Sequence, residues 1–344
     1  MYQTIITDRE AGQRFDKYLH RILPNAASGF LYKMLRKKNI TLNDGRADGS
    51  EKIAAGDCVK IFFAQETLSK FMGREADGDD ASSKAVMESS ATAYLSAYEK
   101  LSGIQIIYEN DHVLIADKPA GILSQRAMQT DLSLNEWLIG YLLQSGFLTA
   151  DDLRMFKPSV CNRLDRNTSG IVLCAKSLQG AQLLGALLKN RTIHKYYQTY
   201  VKGRVEESQT IEGVLQKDAR TNRVTVVSPA TALPQGLHAA RIKTAYSPLR
   251  IERDKTLLEV ELFTGKSHQI RAHLAGIGHP LLGDYKYGDR TWNELYREKY
   301  GVQSQLLHAY KVVFPTLEIP FADLSNRTFL CKIPEVFERV SDSG

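Results

Sequence analysis

Four short segments of the chain combine charged or aromatic residues with glycine or proline, and each interrupts a strand-like run. In chain order they are ADKPAGILSQ, CNRLDRNTSG, HKYYQTYVKG and FTGKSHQIRAHLAGIGHPLLGDYKYG. Binding and catalytic side chains concentrate on loops that a rigid sheet supports. The chemistry of this protein is therefore expected in these four segments.

The second segment places a single acid, Asp165, between Arg163 and Arg166 at the edge of an apolar strand. The Thr-Ser-Gly that follows can hydrogen-bond and shape a tight turn into that strand. Taken alone, the segment is explained about equally well by a carboxylate that only caps this turn. The two arginines favour a functional role, because they hold a carboxylate ionised and also attract phosphate.

The fourth segment holds an arginine and several histidines. Read as a helix, HQIRAHL places His268 near Arg271 and His273 one turn further on. A metal site built from these histidines and His279 is disfavoured, because the spacing is not HExxH and no acid lies among them. We therefore expect no metal, and we expect Arg271 to project into a cleft and pair with a carboxylate. An ordinary salt bridge is the simpler interpretation of the same residue.

Two adjacent tyrosines, Tyr196 and Tyr197, lie on a predicted strand of the third segment. Successive residues of a strand face opposite sides, so the two rings cannot share an environment. One is expected to pack and the other to face a pocket. From the residues alone, packing across strands is the stronger interpretation.

The composition of the chain is that of a soluble globular protein with two domains. It has 344 residues, of which 43% are hydrophobic and 24% charged, and a formal net charge of +6 that permits a polyanionic partner. The four cysteines are scattered without a CxxC pair, which predicts neither a zinc site nor disulfides and fits a reducing cytoplasm. No apolar run is long enough to span a membrane, and the N-terminus has no signal-peptide pattern.

Three regions must position these residues. Residues 1–64 are predicted as helix, helix and hairpin, and residues 65–103, which are poor in large apolar side chains, as a flexible linker with a short helix over 92–100. Residues 104–340 contain more strands than helices, without regular alternation, which predicts an α+β domain on a mostly antiparallel sheet. The second predicted helix of the first region carries a face of four cations: Lys33, Arg36, Lys37 and Lys38.

Read together and in this order, the four segments resemble the pseudouridine synthases of the RluA type. DKPAGILSQ is similar to the family's Lys-Pro-x-Gly motif, NRLDRNTSG to its catalytic HRLDxxTSG motif, and the fourth segment to TGRxHQIRxH…GxPxxGDxxYG. In the K-x-Y motif the tyrosine precedes a glycine by six residues, which selects Tyr197, with Gly203, over Tyr196. Residues 1–64 resemble an S4-type RNA-binding domain, a small α/β module that often precedes this catalytic domain.

The resemblance implies an isomerase that acts on uridines in RNA, most often large-subunit ribosomal RNA, without a cofactor. Asp165 would be the essential carboxylate, acting at C1′ of the sugar or removing the 2′ proton, while the N1–C1′ bond breaks and the base is rejoined through C5. Arg271 would pair with Asp165 and keep it ionised. Tyr197 would stack on the uracil and help to remove the C5 proton. The uridine would first have to leave its stack.

The resemblance also suggests which side chains contact RNA. Position 162 is Asn where the family usually has His, and position 266 is Lys where it usually has Arg, which keeps the charge but loses the bidentate fork. We expect a monomer in the cytoplasm. Besides the cationic face of residues 33–38, the expected RNA contacts are Arg163, Arg166, Lys118, Lys266, His268 and Gln269.

Two other functions would use the same residues. A non-catalytic RNA-binding or ribosome-assembly protein has no need for an ionised carboxylate that faces an anionic ligand. A hydrolytic nucleoside or RNA glycosidase normally uses a second carboxylate. No second acid stands out in the motifs except Asp284, whose position in a loop indicates a structural role.

Overall fold

The computed structural model describes residues 1–8, 10–73, 80–218, 223–227 and 239–341. Two sheets organise the chain, one of three strands and one of eleven. Each has its own apolar core. The α+β class predicted from the sequence is confirmed.

The first sheet belongs to a small N-terminal unit. Its strands are β1 (Tyr2–Ile5), β2 (Ile40–Leu42) and β3 (Cys58–Ile61), in the order β1-β3-β2 and all antiparallel. Two helices cover it, α1 (Phe15–Ile22) and α2 (Ser28–Arg36). The two helices and the β2–β3 hairpin were predicted, and β1 was not.

The helices of the N-terminal unit follow the spacing of their apolar residues. Phe15, Tyr18 and Leu19 recur at helical spacing in α1 and are buried in the core of the unit. Pro24 follows this helix at once, and proline cannot continue a helical hydrogen-bond pattern. Of the four cations predicted on one helix face, Lys33 and Arg36 lie in α2, whereas Lys37 and Lys38 follow its end; all four are exposed.

The region predicted as a linker contains two helices, α3 (Gln65–Met72) and α4 (Asp80–Lys100). Phe71 of α3 packs on Phe30 of the N-terminal unit, with ring centroids 4.6 Å apart. Residues 74–79 of the predicted linker lie outside the described residues. The division of the chain at residues 64 and 103 stays a prediction.

The second half of α4 contains the short helix predicted over 92–100 and packs against α5 (Leu134–Gln144). Tyr94 is buried in this contact. A side chain at Gly140 of α5 would lie 2.1 Å from the carbonyl oxygen of Tyr94, so only glycine permits this approach. This part of α4 therefore belongs to the packing of the larger unit.

The large sheet has the strand order β10-β9-β11-β12-β8-β13-β7-β5-β4, with β6 paired to β7 and β14 to β13. All described pairings are antiparallel except β7 with β13. Its strands are β4 (Gln105–Glu109), β5 (Val113–Lys118), β6 (Ser159–Val160), β7 (Ser169–Ala175), β8 (His194–Lys202), β9 (Gln209–Asp218), β10 (Arg223–Val227), β11 (Ala239–Ile251), β12 (Lys255–Leu262), β13 (Leu307–Val313) and β14 (Thr328–Leu330).

Helices pack on this sheet and lie at its edges. Within the described residues, none of them is long and apolar enough to cross a membrane. The helices that follow α5 are α6 (Asp152–Met155), α7 (Leu178–Asn190), α8 (Gln269–Gly276), α9 (Arg290–Tyr300) and α10 (Glu335–Arg339), and a 3₁₀ turn lies at Ala322–Leu324.

Strand β7 is an interior strand of the large sheet, between β13 and β5, and all seven of its residues are buried. It begins with the Ser-Gly of the Thr-Ser-Gly sequence. Gly170 has a φ of 110°, and a side chain there would lie 2.2 Å from the carbonyl oxygen of Ala309 in β13. Only glycine therefore permits the parallel contact of β7 with β13 at the point where the Asp165 segment enters the sheet.

The N-terminal unit contacts the larger unit through α6 and α7. Arg21 donates to the carbonyl oxygen of Met155 at 2.9 Å. Gln179 and Gln182, in the first turns of α7, donate to the carbonyl oxygens of Asp8 and Gly12 at 3.2 and 3.4 Å. The N-terminal unit therefore lies at the N-terminal end of α7.

Candidate active site

The segments that begin β7, follow β12 and lead into α8 enclose a cavity of about 980 Å³. Of the acidic residues that the structure describes, only Asp165 lines it. Eight cationic residues line the same cavity, so its interior favours a polyanion. They are Arg126, Arg163, Arg166, Lys189, Arg191, Lys195, Lys266 and Arg271.

The turn that carries Asp165 is fixed on both sides. The backbone of Leu164 exchanges two hydrogen bonds with the hydroxyl of Ser124, both at 3.0 Å. The carbonyl oxygen of Asp165 accepts from the backbone N–H of Thr168 at 3.0 Å. The turn is thus closed by the backbone of Asp165, which leaves its carboxylate, a quarter exposed, to face the cavity.

Arg271, on α8, lies between two carboxylates. Its Nη1 donates to Oδ2 of Asp165 at 2.8 Å. Its Nε and Nη2 donate to the two oxygens of Asp284 at 2.7 and 3.0 Å, which is a bidentate pair. Burial lowers the pKa of Arg271, but the hydrogen bonds and charges of Asp284 and Asp165 shift it upward overall. The guanidinium therefore stays charged beside Asp165.

Asp284 is fully buried and has no free face for substrate. Besides Arg271, it accepts hydrogen bonds from the backbone N–H groups of Lys286 and Tyr287 at 2.9 and 3.1 Å. Burial raises the pKa of Asp284, but these bonds and the Arg271 charge lower it overall. Asp284 is an ionised anchor for Arg271, in agreement with the structural role expected from its loop.

Tyr197 lines the cavity from β8 and is only 5% exposed. Burial raises the pKa of Tyr197 far above its usual value, and the charge of Asp165 raises it further. The side chain is therefore a neutral phenol. Tyr196 does not line the cavity, and its ring lies 4.0 Å from the ammonium of Lys311. The two tyrosines thus occupy different environments, as the strand alternation predicted.

His268 adds a polar edge to the cavity just before α8. It has a left-handed backbone with a φ of 55°, and its Nδ1 hydrogen-bonds the hydroxyl of Tyr287 at 2.9 Å. Its Nε2 lies 3.9 Å from Oδ2 of Asp165. Burial lowers the pKa of His268, more than the charge of Asp165 raises it. The imidazole is therefore mainly neutral at pH 7.

Lys118 does not occupy the position expected for an RNA contact, so that prediction is wrong. Its side chain is fully buried, and Nζ donates to the carbonyl oxygens of Pro119, Ile122 and Arg166 at 3.0, 2.8 and 3.2 Å. Burial lowers the pKa of Lys118 to about 7, while Asp165 and Asp117 raise it. Lys118 joins the first segment to the turn that carries Asp165.

Gln269 is likewise a support and not an RNA contact. It is 2% exposed, and its amide uses its full hydrogen-bonding capacity. Oε1 accepts from the hydroxyl of Thr264 and the N–H of Lys266, and Nε2 donates to the carbonyl of Lys243 and the hydroxyl of Thr244. Gln269 fixes the loop between β12 and α8, which sets the position of His268 and of Lys266.

The remaining expected RNA contacts are exposed cations. Arg163, Arg166 and Lys266 lie at the rim of the cavity, and their side chains have no hydrogen-bond or ion-pair partner in the part of the chain that the structure describes. The four cations of the α2 face are exposed as well, but none of them lines the cavity. The exposed cations thus form two separate sets, one at the rim of the cavity and one on the N-terminal unit.

The departure at Asn162 has a structural explanation. Its Oδ1 accepts from the backbone N–H of Leu173 at 2.7 Å, and its Nδ2 donates to the carbonyl of Ile171 at 3.4 Å. The amide therefore pairs with both kinds of backbone group on β7. Asn162 supports the strand that follows the Asp165 turn and is not aimed at Asp165.

Four cationic residues of the cavity were not predicted from the sequence: Arg126, Lys189, Arg191 and Lys195. A signal existed for one of them. Lys195 precedes Tyr197 by two residues on β8, and alternate residues of a strand share a face.

Within the described residues, no group of three or more His, Cys, Asp or Glu side chains is arranged to hold a metal ion.

Comparisons with known proteins cover the three residues predicted to be catalytic. The family model described as RNA pseudouridylate synthase matches residues 112–276, which include Asp165, Tyr197 and Arg271. A ribosomal large subunit pseudouridine synthase C of Vibrio cholerae is 29% identical over 90% of this chain and 87% of its own length. An uncharacterized RNA pseudouridine synthase of Mycoplasma genitalium is 28% identical over 97% of each chain.

A solved structure also shares the fold. Human RNA Pseudouridylate Synthase Domain Containing 4 superposes with a TM-score of 0.54 at 20% identity. The match covers 73% of this chain and 95% of the human chain.

Proposed function

Because this chain belongs to the RNA pseudouridylate synthase family, we propose that it isomerises uridines of large-subunit ribosomal RNA in the cavity around Asp165. The single observation that carries the assignment of the site is the position of Asp165. It is the only described acid among eight cations, and Arg271 holds it by one oxygen. The ribosomal substrate is supported by the relatives that are named for it.

The reaction conserves all atoms of the uridine. The N1–C1′ bond breaks, the base turns, and a C5–C1′ bond forms. The proton on C5 then leaves, and N1 gains a proton. A carboxylate can bond to C1′ as the N1–C1′ bond breaks and leave again when C5 bonds to C1′. Alternatively, it can remove the 2′ proton as the N1–C1′ bond breaks and return it when the C5–C1′ bond forms. Both routes need an ionised Asp165 with an accessible oxygen, and Oδ1 of Asp165 has no hydrogen-bond partner among the described residues.

Tyr197 would position the uracil and not act as a base. Removal of the C5 proton by Tyr197 requires a phenolate, which the raised pKa of this buried group opposes. A neutral ring against a flipped base contributes stacking, worth about 1–3 kcal/mol. We therefore revise the role expected for Tyr197: it stacks on the base, and the C5 proton passes to the solvent, where the released tritium is measured.

The cations of the cavity would offset the cost of extruding the uridine. Unstacking a base costs a few kcal/mol, and contacts to phosphate supply most of the affinity of proteins for nucleic acids. Arg163, Arg166 and Lys266 are exposed and unpaired in the described structure, so they can bind phosphate without breaking an existing contact. We assign them this role.

Hydrolysis is a weaker alternative because it needs a second catalytic carboxylate. Asp284 is the nearest candidate, but it is fully buried and accepts four hydrogen bonds from Arg271 and the backbone. It has no free oxygen to activate water. The described cavity therefore favours isomerisation over release of free uracil.

The decisive experiment is tritium release from ribosomal RNA labelled at C5 of uridine, with Asp165→Asn as the matched variant. Asparagine keeps the shape of the side chain but cannot act as an ionised carboxylate. We expect release by the wild type and none by the variant, while both bind RNA. Equal release by both would remove Asp165 from the mechanism. Binding without release by either would favour the non-catalytic protein, and free uracil would indicate the glycosidase.

We also propose that residues 1–64 form an S4-like RNA-binding domain and that residues 104–340 form the catalytic domain. The support is the separate core of the N-terminal unit and the four exposed cations in and directly after α2. Replacing those four cations with glutamine should weaken binding of ribosomal RNA. It should also reduce the salt dependence of log Kd by roughly 0.7–0.9 for each phosphate that the protein no longer neutralises. Deleting residues 1–64 should weaken binding yet leave residues 104–340 folded.

The control for this test is the activity on saturating RNA. The four α2 substitutions should raise the RNA concentration needed for half-maximal rate and leave the maximal rate close to that of the wild type. Unchanged affinity and unchanged salt dependence would exclude the RNA-binding role of the N-terminal unit.

We further propose that the protein works as a monomer in the cytoplasm. Its four cysteines are free thiols, as is usual in a reducing compartment. Sedimentation of the full chain at micromolar concentration should give the mass of one copy, and a dimer mass would contradict this.

A further inference from the structure

The cavity contains a lysine that the proposed reaction does not use. Lys195 lies two residues before Tyr197 on β8, and both line the cavity. Alternate residues of a strand are roughly 7 Å apart and face the same side. That spacing is comparable to the reach from a stacked base to its own backbone phosphate.

The side chain of Lys195 is half-buried, and its ammonium has no ion-pair partner among the described residues. A side chain at Gly265 would lie 3.8 Å from Nζ, so the group sits against the loop that leads into α8. Its side chain forms no hydrogen bond or ion pair with any residue that the structure describes. Burial lowers the pKa of Lys195, and the nearby charge of Arg191 lowers it further. No described protein group therefore offsets this positive charge.

Arg191 supplies a second cation beside Lys195. It ends α7 in a left-handed conformation with a φ of 60° and is exposed at the cavity rim. Its guanidinium also has no acidic partner within the described part of the chain. The one acid of the cavity, Asp165, is engaged by Arg271 on another element. Two neighbouring cations repel each other, and an anion bound between them removes that repulsion.

We propose that Lys195 and Arg191 form a phosphate-binding subsite for the backbone phosphate next to the uridine whose base stacks on Tyr197. The proposal rests on the proposed function and makes its substrate more specific. The uridine is recognised as part of a polynucleotide, through its phosphate, and not as a free nucleoside. The compact ammonium suits the half-buried position of Lys195, and the planar guanidinium suits the open rim.

The test compares Lys195→Met, which keeps the length without the charge, with Lys195→Arg, which keeps the charge. Lys100→Met is the matched control, because Lys100 is an exposed lysine of α4 that does not line the cavity. Two quantities are measured on a large-subunit ribosomal RNA transcript. One is Kd by filter binding over a range of salt, and the other is single-turnover tritium release as a function of enzyme concentration.

For Lys195→Met we expect Kd and the half-saturating enzyme concentration to rise roughly tenfold. The slope of log Kd against log salt should fall by about 0.7, the value for one phosphate contact to a single strand. The maximal rate should stay close to that of the wild type. Lys195→Arg should recover most of the affinity, and Lys100→Met should match the wild type in every quantity.

A second arm identifies which phosphate is bound. Uridine, uridine 5′-monophosphate and uridine 3′-monophosphate are used as competitors of the reaction on labelled RNA. One monophosphate should inhibit the wild type more strongly than uridine does, and Lys195→Met should lose that preference. If the three compounds inhibit the wild type equally, the subsite does not exist.

Two further outcomes would overturn the proposal. One is a Lys195→Met protein with wild-type Kd and salt slope. The other is a loss confined to the maximal rate that Lys195→Arg does not restore, which would indicate proton transfer instead. If Lys195→Met does not fold, Arg191→Asn gives the same test with a smaller rise in Kd, since asparagine tolerates the left-handed conformation. Failure of the wild type to release tritium would refute the isomerase alone, because the Kd comparison needs no activity.

Discussion

At the scale of the residue, the guanidinium of Arg271 binds two carboxylates that differ in burial. Asp284 is buried, takes two of the donors of Arg271, and is itself fixed by two backbone N–H groups. Asp165 takes a third donor and is partly exposed. Because two hydrogen bonds to the buried Asp284 fix Arg271, its guanidinium cannot move with Asp165 toward a substrate. The carboxylate of Asp165 is thus oriented without being enclosed.

A prediction at this scale concerns the hydroxyl of Tyr197. If the residue acts by stacking, Tyr197→Phe should keep at least about a tenth of the wild-type kcat/KM, because the ring remains. Tyr197→Leu removes the aromatic ring and should reduce kcat/KM by roughly tenfold to a hundredfold. Steady-state tritium release from labelled RNA measures both. A Tyr197→Phe protein as inactive as Asp165→Asn would show that the hydroxyl itself transfers a proton.

Residue types and spacing predicted which acid, tyrosine and arginine would form the site, and the structure places the three around one cavity. The same reasoning misjudged Lys118 and Gln269. Both are polar residues in a motif, and such residues are usually solvated. Their burial depends on backbone carbonyls and hydroxyls from other segments, which the sequence around them does not reveal.

At the scale of the element, the entry into β7 depends on Gly170. A side chain there would meet the backbone of Ala309, and the φ of 110° is unfavourable for other residues. We expect Gly170→Ala to destabilise the protein by about 3 kcal/mol or more, because neither backbone can retreat within the sheet. Urea unfolding measures this difference.

Gly185→Ala is the control for this prediction. Gly185 lies within α7 and is exposed, and a side chain there would meet nothing within 4 Å. Alanine should stabilise the helix by roughly 0.5–1 kcal/mol. Equal effects of the two substitutions would mean that the contact between β7 and β13 is not the constraint.

Periodicity predicted the strongly patterned helices of the N-terminal unit, such as α1. It did not predict β1, whose four residues (YQTI) form a short edge strand without a clear apolar pattern. The beginning of α4 is rich in Ala and Ser, which concealed a helix whose later residues, Tyr94 and Ala97, are buried. Composition alone could not identify that burial because the surface that covers it comes from α5.

At the scale of the whole molecule, two buried histidines make stability depend on pH. His273 and His308 are 3% and 1% exposed, and burial lowers the pKa of each to about 4. In the unfolded chain a histidine has a pKa of about 6.5. The unfolded state therefore binds protons that the folded state does not, and stability falls as the pH drops from about 6.5 toward 4.

The expected loss at pH 5 is about 2 kcal/mol for each of these histidines. Urea unfolding at pH 7.5 and pH 5 measures it. The two histidines should contribute about equally to the difference in the free energy of unfolding between pH 7.5 and pH 5. His308→Gln should therefore remove about half of their joint contribution, whatever its effect on stability at pH 7.5. Equal stability of the wild type at both pH values would contradict the prediction.

The class of the fold was predictable from the sequence, but the contacts between segments far apart in the chain were not. The parallel pairing of β7 with β13 joins segments that are far apart in the chain, as in the hydrogen bond between Ser169 and His308, 139 residues apart. No local pattern encodes such a partner. The approach of the N-terminal unit to α7 is equally non-local, since it uses two glutamines and two backbone carbonyls.

Helix α7 sets a distance between two parts of the molecule. Its first turns touch the N-terminal unit, and Arg191 at its other end lies at the cavity rim. A helix of 13 residues is roughly 20 Å long. An RNA that contacts both regions at once must bridge that interval, which is roughly six nucleotides of a strand at 3.4 Å each. The distance along α7 between the N-terminal unit and the cavity rim is therefore set by the length of one helix.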